Sequence, residues 1–361
     1  MKLRIYCLLS KESKLTPISG DRINEMNLIR ALMRSFDVYY NGQLCHENDS
    51  TFGRSDGQIT VPKEGEYDLV YVRNNKDVFM AAPSPKIWFA SPYDKECFDA
   101  ADGIACMTKP WRDRLATYTS DDYDYFVGTY PVDMPTPQHC LLFPQTIEMP
   151  SDAISVVEKN SKKSLIQSFK GLFIKSQDNR LSIKHFGPIR PSNFPHQMIE
   201  LLERRPDLLS KVDPVAVGPG KKMKLPKTIR SMGRVDAHLV PSLLQSSDAI
   251  WYNQDFSGNI AGSLKVLEAM SYGVPVLSPK WDARVDEMGE DYPWFWEPTN
   301  NLSFSDQGHV DFEEKFHQLI NSDAQYRKEI GQKLKYRAEK FSIDNVADIL
   351  SREISDFLDN R

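Results

Sequence analysis

The sequence is poor in cysteine and contains no long hydrophobic run. Its 361 residues include five cysteines, which are scattered singly and form no C-x-x-C pair. This pattern argues against a disulfide framework and a cysteine-based zinc site, and it is typical of a protein kept in a reducing cytoplasm. No segment approaches the roughly 20 apolar residues of a membrane helix. We therefore expect a cytoplasmic protein, and peripheral contact with the inner face of the membrane stays open.

Low-complexity tracts and internal repeats are also absent. Hydrophobic residues make up 40% of the chain and charged residues 26%, which is an ordinary globular balance. The N-terminal residues MKLRIYCLLS lack the longer apolar stretch and the cleavage site of a signal peptide, so they predict a first buried strand. A chain of this length suits two domains of ordinary size.

The net charge of −5 is distributed unevenly. Residues 1–150 hold 16 basic and 21 acidic side chains, whereas residues 159–234 hold 17 basic and five acidic ones. A basic region within an acidic protein favours a focused anionic ligand over a nucleic-acid surface. A solvated basic face is the alternative, and charge alone does not decide between them.

Strand-like and helix-like segments alternate along the first 150 residues. Ile23, Met26 and Ile29 recur at helical spacing in a helix that is predicted over Asp21–Ser35. This alternation predicts a parallel sheet with right-handed crossovers. The predicted strands are LRIYCLL, FDVYY, DLVYV, KIWFA, GIACMT and CLLFP.

A second alternating pattern follows a stretch rich in proline, serine and lysine. Residues 148–163 are predicted to be a linker, and SLIQSFKGLFIKS is predicted to be an amphipathic helix after it. The fold expected is α/β, with Rossmann-like doubly wound domains over residues 1–150 and 151–340 and a C-terminal helix over 341–361. That helix either covers the second sheet or crosses back to the first domain. The strands predicted in the second domain are LSIKHFG, DPVAVG, TIRSMG, AIWYN and VPVLSP.

The most informative segment is GNIAGSLKVLEAMSYGVPVLSP, residues 258–279. Gly262 and Ser263 open a helix, and a helix N-terminus with small residues presents backbone N–H groups that suit a phosphate. Glu268 lies about one and a half turns into this helix, near enough to accept hydrogen bonds from ribose hydroxyls. A surface ion pair between Lys265 and Glu268, spaced i,i+3, is the alternative interpretation.

This segment resembles the donor-binding motif of GT-B glycosyltransferases, particularly family 4, in which a helix carrying LEAMA-G-PV follows a glycine-containing loop. The resemblance extends through most of the chain. Gly20 and the helix after it resemble the family's N-terminal glycine loop, and HFGPIRPSN, AVGPG and IRSMGRV follow the family's order in the donor domain. It implies two Rossmann-like domains facing a cleft, with residues 1–150 on the acceptor side and residues 151–340 holding the nucleotide sugar.

The resemblance also implies the donor site. Glu268 should bind the donor ribose, and backbone N–H groups at the start of its helix should face the diphosphate. Arg190 matches a basic position that contacts phosphate, although a surface arginine is an equally weighted alternative. The residues expected to hold the donor are Gly20, Arg190, Asn259, Gly262, Ser263, Leu264, Lys265 and Glu268.

Two positions depart from the family pattern. Many members have another glutamate eight positions before the ribose-binding one, where this chain has Ile260. Asn259 or Ser263 is expected to contact the sugar instead. The family's N-domain histidine has no match either, and the comparable stretch WFASPYDKE offers Asp94. The catalytic candidates are therefore Asp94, Arg190 and Lys265.

The resemblance predicts a hexosyltransferase-like enzyme that transfers a sugar from a UDP- or GDP-linked donor to a hydroxyl of a glycan, glycolipid or small-molecule acceptor. Retention of anomeric configuration, metal independence and the absence of any cofactor follow from the same family. Polysaccharide or glycolipid synthesis is the expected role. The alternatives are a GT-B nucleotide-sugar epimerase and a non-catalytic protein that binds a sugar nucleotide or a glycan.

Overall fold

The computed structural model describes residues 2–9, 12–17, 20–123, 125–126, 130–150, 180–189, 196–220, 225–236, 239–253, 261–298 and 306–360. Residues 151–163 of the predicted linker, the amphipathic segment after it, Arg190 and Asn259 lie outside these residues. The chain divides into two compact units. Unit 1 comprises Met1–Glu148, Asn259–Leu264 and Lys340–Arg361, and unit 2 comprises Met149–Gly258 and Lys265–Glu339.

Unit 1 is built on a mostly parallel sheet, and each of the six strands predicted in the first half of the chain is present. Its strands are β1 (Arg4–Leu8), β2 (Lys14–Leu15), β3 (Asp37–Tyr40), β4 (Gln43–Leu44), β5 (Phe52–Gly53), β6 (Leu69–Val72), β7 (Lys86–Phe89), β8 (Gly103–Cys106) and β9 (Cys140–Leu142). Its first helices are α1 (Gly20–Met33), α2 (Lys76–Ala81), α3 (Lys95–Ala100) and α4 (Lys109–Leu115).

The strand order in this sheet is β4-β3-β1-β6-β7-β8-β9, and β2 pairs with β5 in a separate ribbon. Every pair in the seven-stranded sheet is parallel except β3 with β4. From β1 the chain proceeds outward to β3 and then returns to β6 on the other side. The order therefore reverses between β1 and β6, and ligands of open α/β sheets bind at the carboxyl ends of strands at such a switch point.

Unit 2 is built on a second, entirely parallel sheet. Its strands are β10 (Leu181–Phe186), β11 (Val212–Val217), β12 (Arg230–Gly233), β13 (Ala249–Trp251), β14 (Val276–Pro279) and β15 (Phe295–Trp296). Its helices are α5 (His196–Arg204), α6 (Val240–Gln245), α7 (Leu264–Ser271), α8 (Asp282–Met288), α9 (Asp306–Asn321) and α10 (Ala324–Ala338). Leu264, the first residue of α7, is grouped with unit 1. The strand order is β12-β11-β10-β13-β14-β15, with its reversal between β10 and β13.

The C-terminal helix α11 (Ile343–Asp359) packs into the core of unit 1. Val346, Leu350 and Ile354 are fully buried on one face of this helix. Glu353 accepts hydrogen bonds from Arg112 of α4 and from the backbone N–H of Leu142 in the edge strand β9, both at 2.8 Å. No helix in the described part of the chain is both long and apolar enough to cross a membrane.

Two glycines bring α7 and α10 into direct backbone contact. Gly273 follows α7 with a φ of +68°, and Gly331 lies inside α10. A Cβ added to Gly331 would lie 2.0 Å from the carbonyl oxygen of Gly273. Only glycine fits at position 331, although glycine is about 1 kcal/mol less favourable than alanine within a helix.

A buried lysine connects β10 to the end of α6. The ammonium of Lys184 donates to the carbonyl oxygen of Leu243 at 3.1 Å and to the hydroxyls of Ser246 and Ser247 at 3.0 Å each. Only 2% of the residue is exposed, and burial lowers the pKa of the ammonium from 10.5 to about 8. The cation stabilises the carboxyl end of the helix at the cost of desolvation.

We expect the free energy of unfolding to rise between pH 8 and pH 10.5 in the wild type relative to Lys184→Met. In this range the unfolded chain keeps the lysine proton that the folded chain has lost, so raising the pH favours folding. The relative gain is at most about 3 kcal/mol, since one pKa unit corresponds to about 1.4 kcal/mol. Urea unfolding of both proteins at several pH values measures it, and a pH-independent difference would contradict it.

Candidate functional site

The switch point of unit 2 lies at the carboxyl ends of β10 and β13. β10 leads into the loop that begins at Gly187, and β13 leads through Tyr252 and Asn253 toward α7. Because both strands run in the same direction, their following loops lie at the same edge of the sheet. The topology therefore brings α7 and the loop that precedes Arg190 to one edge.

The helix that carries Glu268 is α7. It begins at Leu264, so Gly262 and Ser263 directly precede its first turn, and both of these residues are buried. Val266, Leu267, Ala269 and Met270 bury the apolar face of the helix in unit 2. The first-turn N–H groups and the positive end of the helix dipole lie at the carboxyl edge of the sheet, where an anion is favoured.

Lys265 and Glu268 form the ion pair that their spacing allows. Nζ of Lys265 lies 3.0 Å from Oε2 of Glu268, and the two side chains are 31% and 23% exposed. The pair by itself contributes only a few tenths of a kcal/mol because it is open to solvent. Its position on α7 leaves a partly exposed carboxylate about one turn from the helix N-terminus.

The loops after β10 and β11 approach each other through glycines. Gly187 has a φ of +135° and Gly218 a φ of +152°. The N–H of Gly187 donates to Val217, and the N–H of Gly218 donates to Gly233, at 2.9 and 2.8 Å. A Cβ on Gly218 would lie 1.8 Å from the carbonyl oxygen of Gly187. Glycine is therefore required where the AVGPG loop supports the HFGPIR loop.

His185 is a core residue of this sheet. Only 2% of it is exposed, and its ring stacks against Trp251 of the neighbouring strand at a centroid distance of 6.5 Å. Burial lowers the pKa of the imidazole to about 4, so the side chain is neutral at pH 7.

The predicted residues of unit 1 lie at the carboxyl edge of the other sheet. Gly20 is the first residue of α1, which follows β1. Asp94 caps the N-terminus of α3, where it accepts from the N–H of Cys97 at 3.1 Å and from Lys76 at 3.1 Å. Partial burial opposes ionisation, but these two hydrogen bonds outweigh it and lower the pKa of the Asp94 carboxyl. Asp94 is therefore a poor proton acceptor near pH 7.

Among the described residues, no group of three or more histidine, cysteine or acidic side chains has a metal-binding arrangement. In the acidic segment SDDYDY, Asp122 accepts from the N–H of Thr119 at 3.0 Å and pairs with Arg114 at 3.4 Å. Asp124 lies outside the described residues.

Arg73 also lies at the carboxyl edge of unit 1, and the sequence patterns do not single it out. It follows β6 directly, and its backbone N–H donates to Leu8 of β1 at 2.8 Å. The first polar residue after a buried parallel strand is a signal that could have identified it.

Comparison with known proteins supports the fold. No protein-family model and no curated protein matches the chain. Sucrose-phosphate synthase from Thermosynechococcus elongatus is similar with a TM-score of 0.63 and 10% identity over 100% of both chains. Anabaena HepE in complex with UDP-glucose is similar at 0.59 and 14%, over 98% of this chain and 100% of that one. AviGT4, a glycosyltransferase involved in avilamycin A biosynthesis, is similar at 0.56 and 12%, over 99% of each chain.

The structural neighbours are GT-B glycosyltransferases, so the chain has the GT-B fold of two Rossmann-like domains. The predicted fold class is thereby confirmed. The assignment to family 4 and the roles of the individual site residues stay predictions.

Proposed function

We propose that the protein is a glycosyltransferase that transfers a sugar from a nucleoside diphosphate donor to a hydroxyl acceptor. The observation that carries this proposal is the position of α7, whose N-terminus and partly exposed Glu268 lie at the switch point of the second GT-B sheet. One structural neighbour, Anabaena HepE, was crystallised in complex with UDP-glucose. A UDP- or GDP-linked hexose is therefore the donor we propose.

In this proposal Glu268 accepts hydrogen bonds from the ribose hydroxyls. Backbone N–H groups of Gly262, Ser263 and Leu264 bind the diphosphate, and Lys265 adds a positive charge that Glu268 orients at 3.0 Å. Arg190 is the second cation in the proposal, and Asn259 contacts the sugar. Gly20, the first residue of α1, is the remaining donor-binding residue of the proposal.

The reaction breaks the bond between the anomeric carbon and the diphosphate oxygen, and a new bond forms to the acceptor oxygen. Negative charge develops on the leaving diphosphate, so fixed N–H dipoles and cations next to it lower the barrier. The acceptor hydroxyl gives up its proton in the same reaction, and the departing diphosphate oxygen, which gains negative charge, takes it. The hydrogen bonds to Asp94 hold that carboxylate in place, and its low pKa makes it better suited to orienting the acceptor than to removing the proton.

A non-catalytic protein that binds a sugar nucleotide is the second candidate. It is favoured by Ile260 at the position of the expected glutamate and by the lack of a histidine in WFASPYDKE. Calorimetry and turnover with a panel of UDP- and GDP-hexoses separate the candidates. Binding together with release of nucleoside diphosphate in the presence of sugar acceptors supports a transferase, whereas binding without turnover supports the second candidate. Interconversion of the nucleotide sugars themselves would identify an epimerase.

We expect transferase activity to survive EDTA. The proposed site stabilises the leaving diphosphate with helix N–H groups and cations, which replace the charge that a divalent ion would supply. Initial rates measured with and without EDTA, in excess over any added metal, test this expectation. Loss of activity that manganese or magnesium restores would contradict it.

The acceptor proposed is a glycan, a glycolipid or a small molecule, and the role proposed is polysaccharide or glycolipid synthesis with retention of configuration. The anomeric configuration of the product, measured by NMR on the first acceptor found, tests the stereochemistry.

A further inference from the structure

Arg73 is a charged side chain that the proposed donor site does not use. It follows β6 at the switch point of unit 1, the edge where an open α/β sheet binds ligands. Its guanidinium carbon lies 4.1 Å from the centroid of the buried Phe89 ring at the end of β7. The ring supports one face of the guanidinium and leaves its N–H edges to be satisfied by polar partners.

The guanidinium of Arg73 is poorly satisfied for its degree of burial. Its side chain is 22% exposed, and its one ion pair among the described residues is to Glu25, from Nη1 to Oε1 at 3.4 Å. That distance is long for a charge-assisted hydrogen bond, which is normally about 2.7–2.9 Å. Nε is shielded from solvent and has no hydrogen-bond partner in the described part of the chain. A buried donor in this state destabilises the unliganded protein.

Other arginines with similarly covered side chains are bound more tightly. Arg22 donates to Glu12 at 2.8 Å from Nη1. Arg112 shows the complete arrangement, because Nη1 binds Glu353 at 2.8 Å while Nε and Nη2 bind Asp113 at 2.9 and 2.7 Å. Arg73 has one carboxylate partner, Glu25, at Nη1, and the described residues provide no second carboxylate at Nε and Nη2.

We propose that Arg73 binds an anionic oxygen pair, a carboxylate or a phosphate, of the acceptor substrate. The planar Nε–Nη2 edge of an arginine matches two oxygens of one such group, which a neutral hydroxyl does not offer. Solvent does not reach Nε in the unliganded structure. The bound carboxylate or phosphate must therefore displace the protein atoms that cover Nε. This inference rests on the proposed function, and it specifies the acceptor as an acidic molecule.

The test uses the full chain with its donor site filled by saturating UDP, so that added anions do not bind there. Calorimetry compares glucose 6-phosphate, glucuronate and glucose on the wild type, Arg73→Met, Arg73→Lys and Arg34→Met. Arg34 is an exposed arginine of unit 1 that pairs with Glu47, which makes it the matched control.

We expect at least one acidic sugar to bind the wild type at least tenfold more tightly than glucose. Arg73→Met should abolish this preference, Arg73→Lys should retain part of it, and Arg34→Met should leave it unchanged. Preference for glucose 6-phosphate identifies a phosphate, and preference for glucuronate identifies a carboxylate. Equal binding of all three sugars, or a preference that survives in Arg73→Met, overturns the inference. Failure of UDP to bind any variant would instead overturn the proposed function.

Discussion

Replacement of Glu268 with glutamine is expected to weaken binding of a nucleoside diphosphate by roughly tenfold to a hundredfold. The change keeps the shape of the side chain and removes the charge from its hydrogen bonds to the ribose, which is worth about 1.5–3 kcal/mol. It also removes the partner of Lys265, but that partly exposed pair contributes far less. Calorimetry with UDP and GDP measures the loss.

Glu290→Gln is the matched control for this experiment. Glu290 is a glutamate of unit 2 that pairs with Lys280, and its side chain is 72% exposed. The control should bind nucleotide as the wild type does. If Glu268→Gln folds and binds nucleotide with unchanged affinity, Glu268 does not belong to the donor site.

Gly218→Ala is expected to destabilise unit 2 by about 3 kcal/mol or more, at the upper end of overpacking effects. The added Cβ meets a backbone carbonyl oxygen at 1.8 Å, and no side-chain rotation can relieve a contact between two backbones. The φ of +152° is also unfavourable for any residue with a Cβ. Urea unfolding measures the loss of stability, and the variant should also bind nucleotide poorly because the displaced Gly187 begins the loop that leads to Arg190.

Gly220→Ala, two residues along the same loop, separates this clash from a general intolerance to substitution. Its Cβ would lie 3.6 Å from Ile189, an ordinary contact, and should change stability little. Equal stability of the two alanine variants would show that the loops after β10 and β11 do not pack as described.

The larger elements were predictable because their signals are local. Short apolar runs such as DLVYV and AIWYN correspond to β6 and β13, and the apolar spacing of LKVLEAM corresponds to α7. The two-residue strands β2, β4, β5 and β15 escaped prediction because such short segments carry no periodicity of their own. For the candidate site, sequence patterns predicted the helix that carries Glu268, but they did not indicate that Asp94 caps α3.

The sequence by itself determined the two alternating patterns, and hence two doubly wound sheets, because hydrophobic period and strand length depend on neighbouring residues alone. It also determined the order of the donor-domain motifs. Contacts between distant segments were decided by the tertiary structure. Isolated helix propensity would favour alanine at Gly331, yet the carbonyl of Gly273, 58 positions away in sequence, leaves no room for a Cβ. The incomplete coordination of Arg73 by Glu25 likewise exists only once β6, β7 and α1 have packed together, because burial and ion-pair geometry are properties of the assembled core.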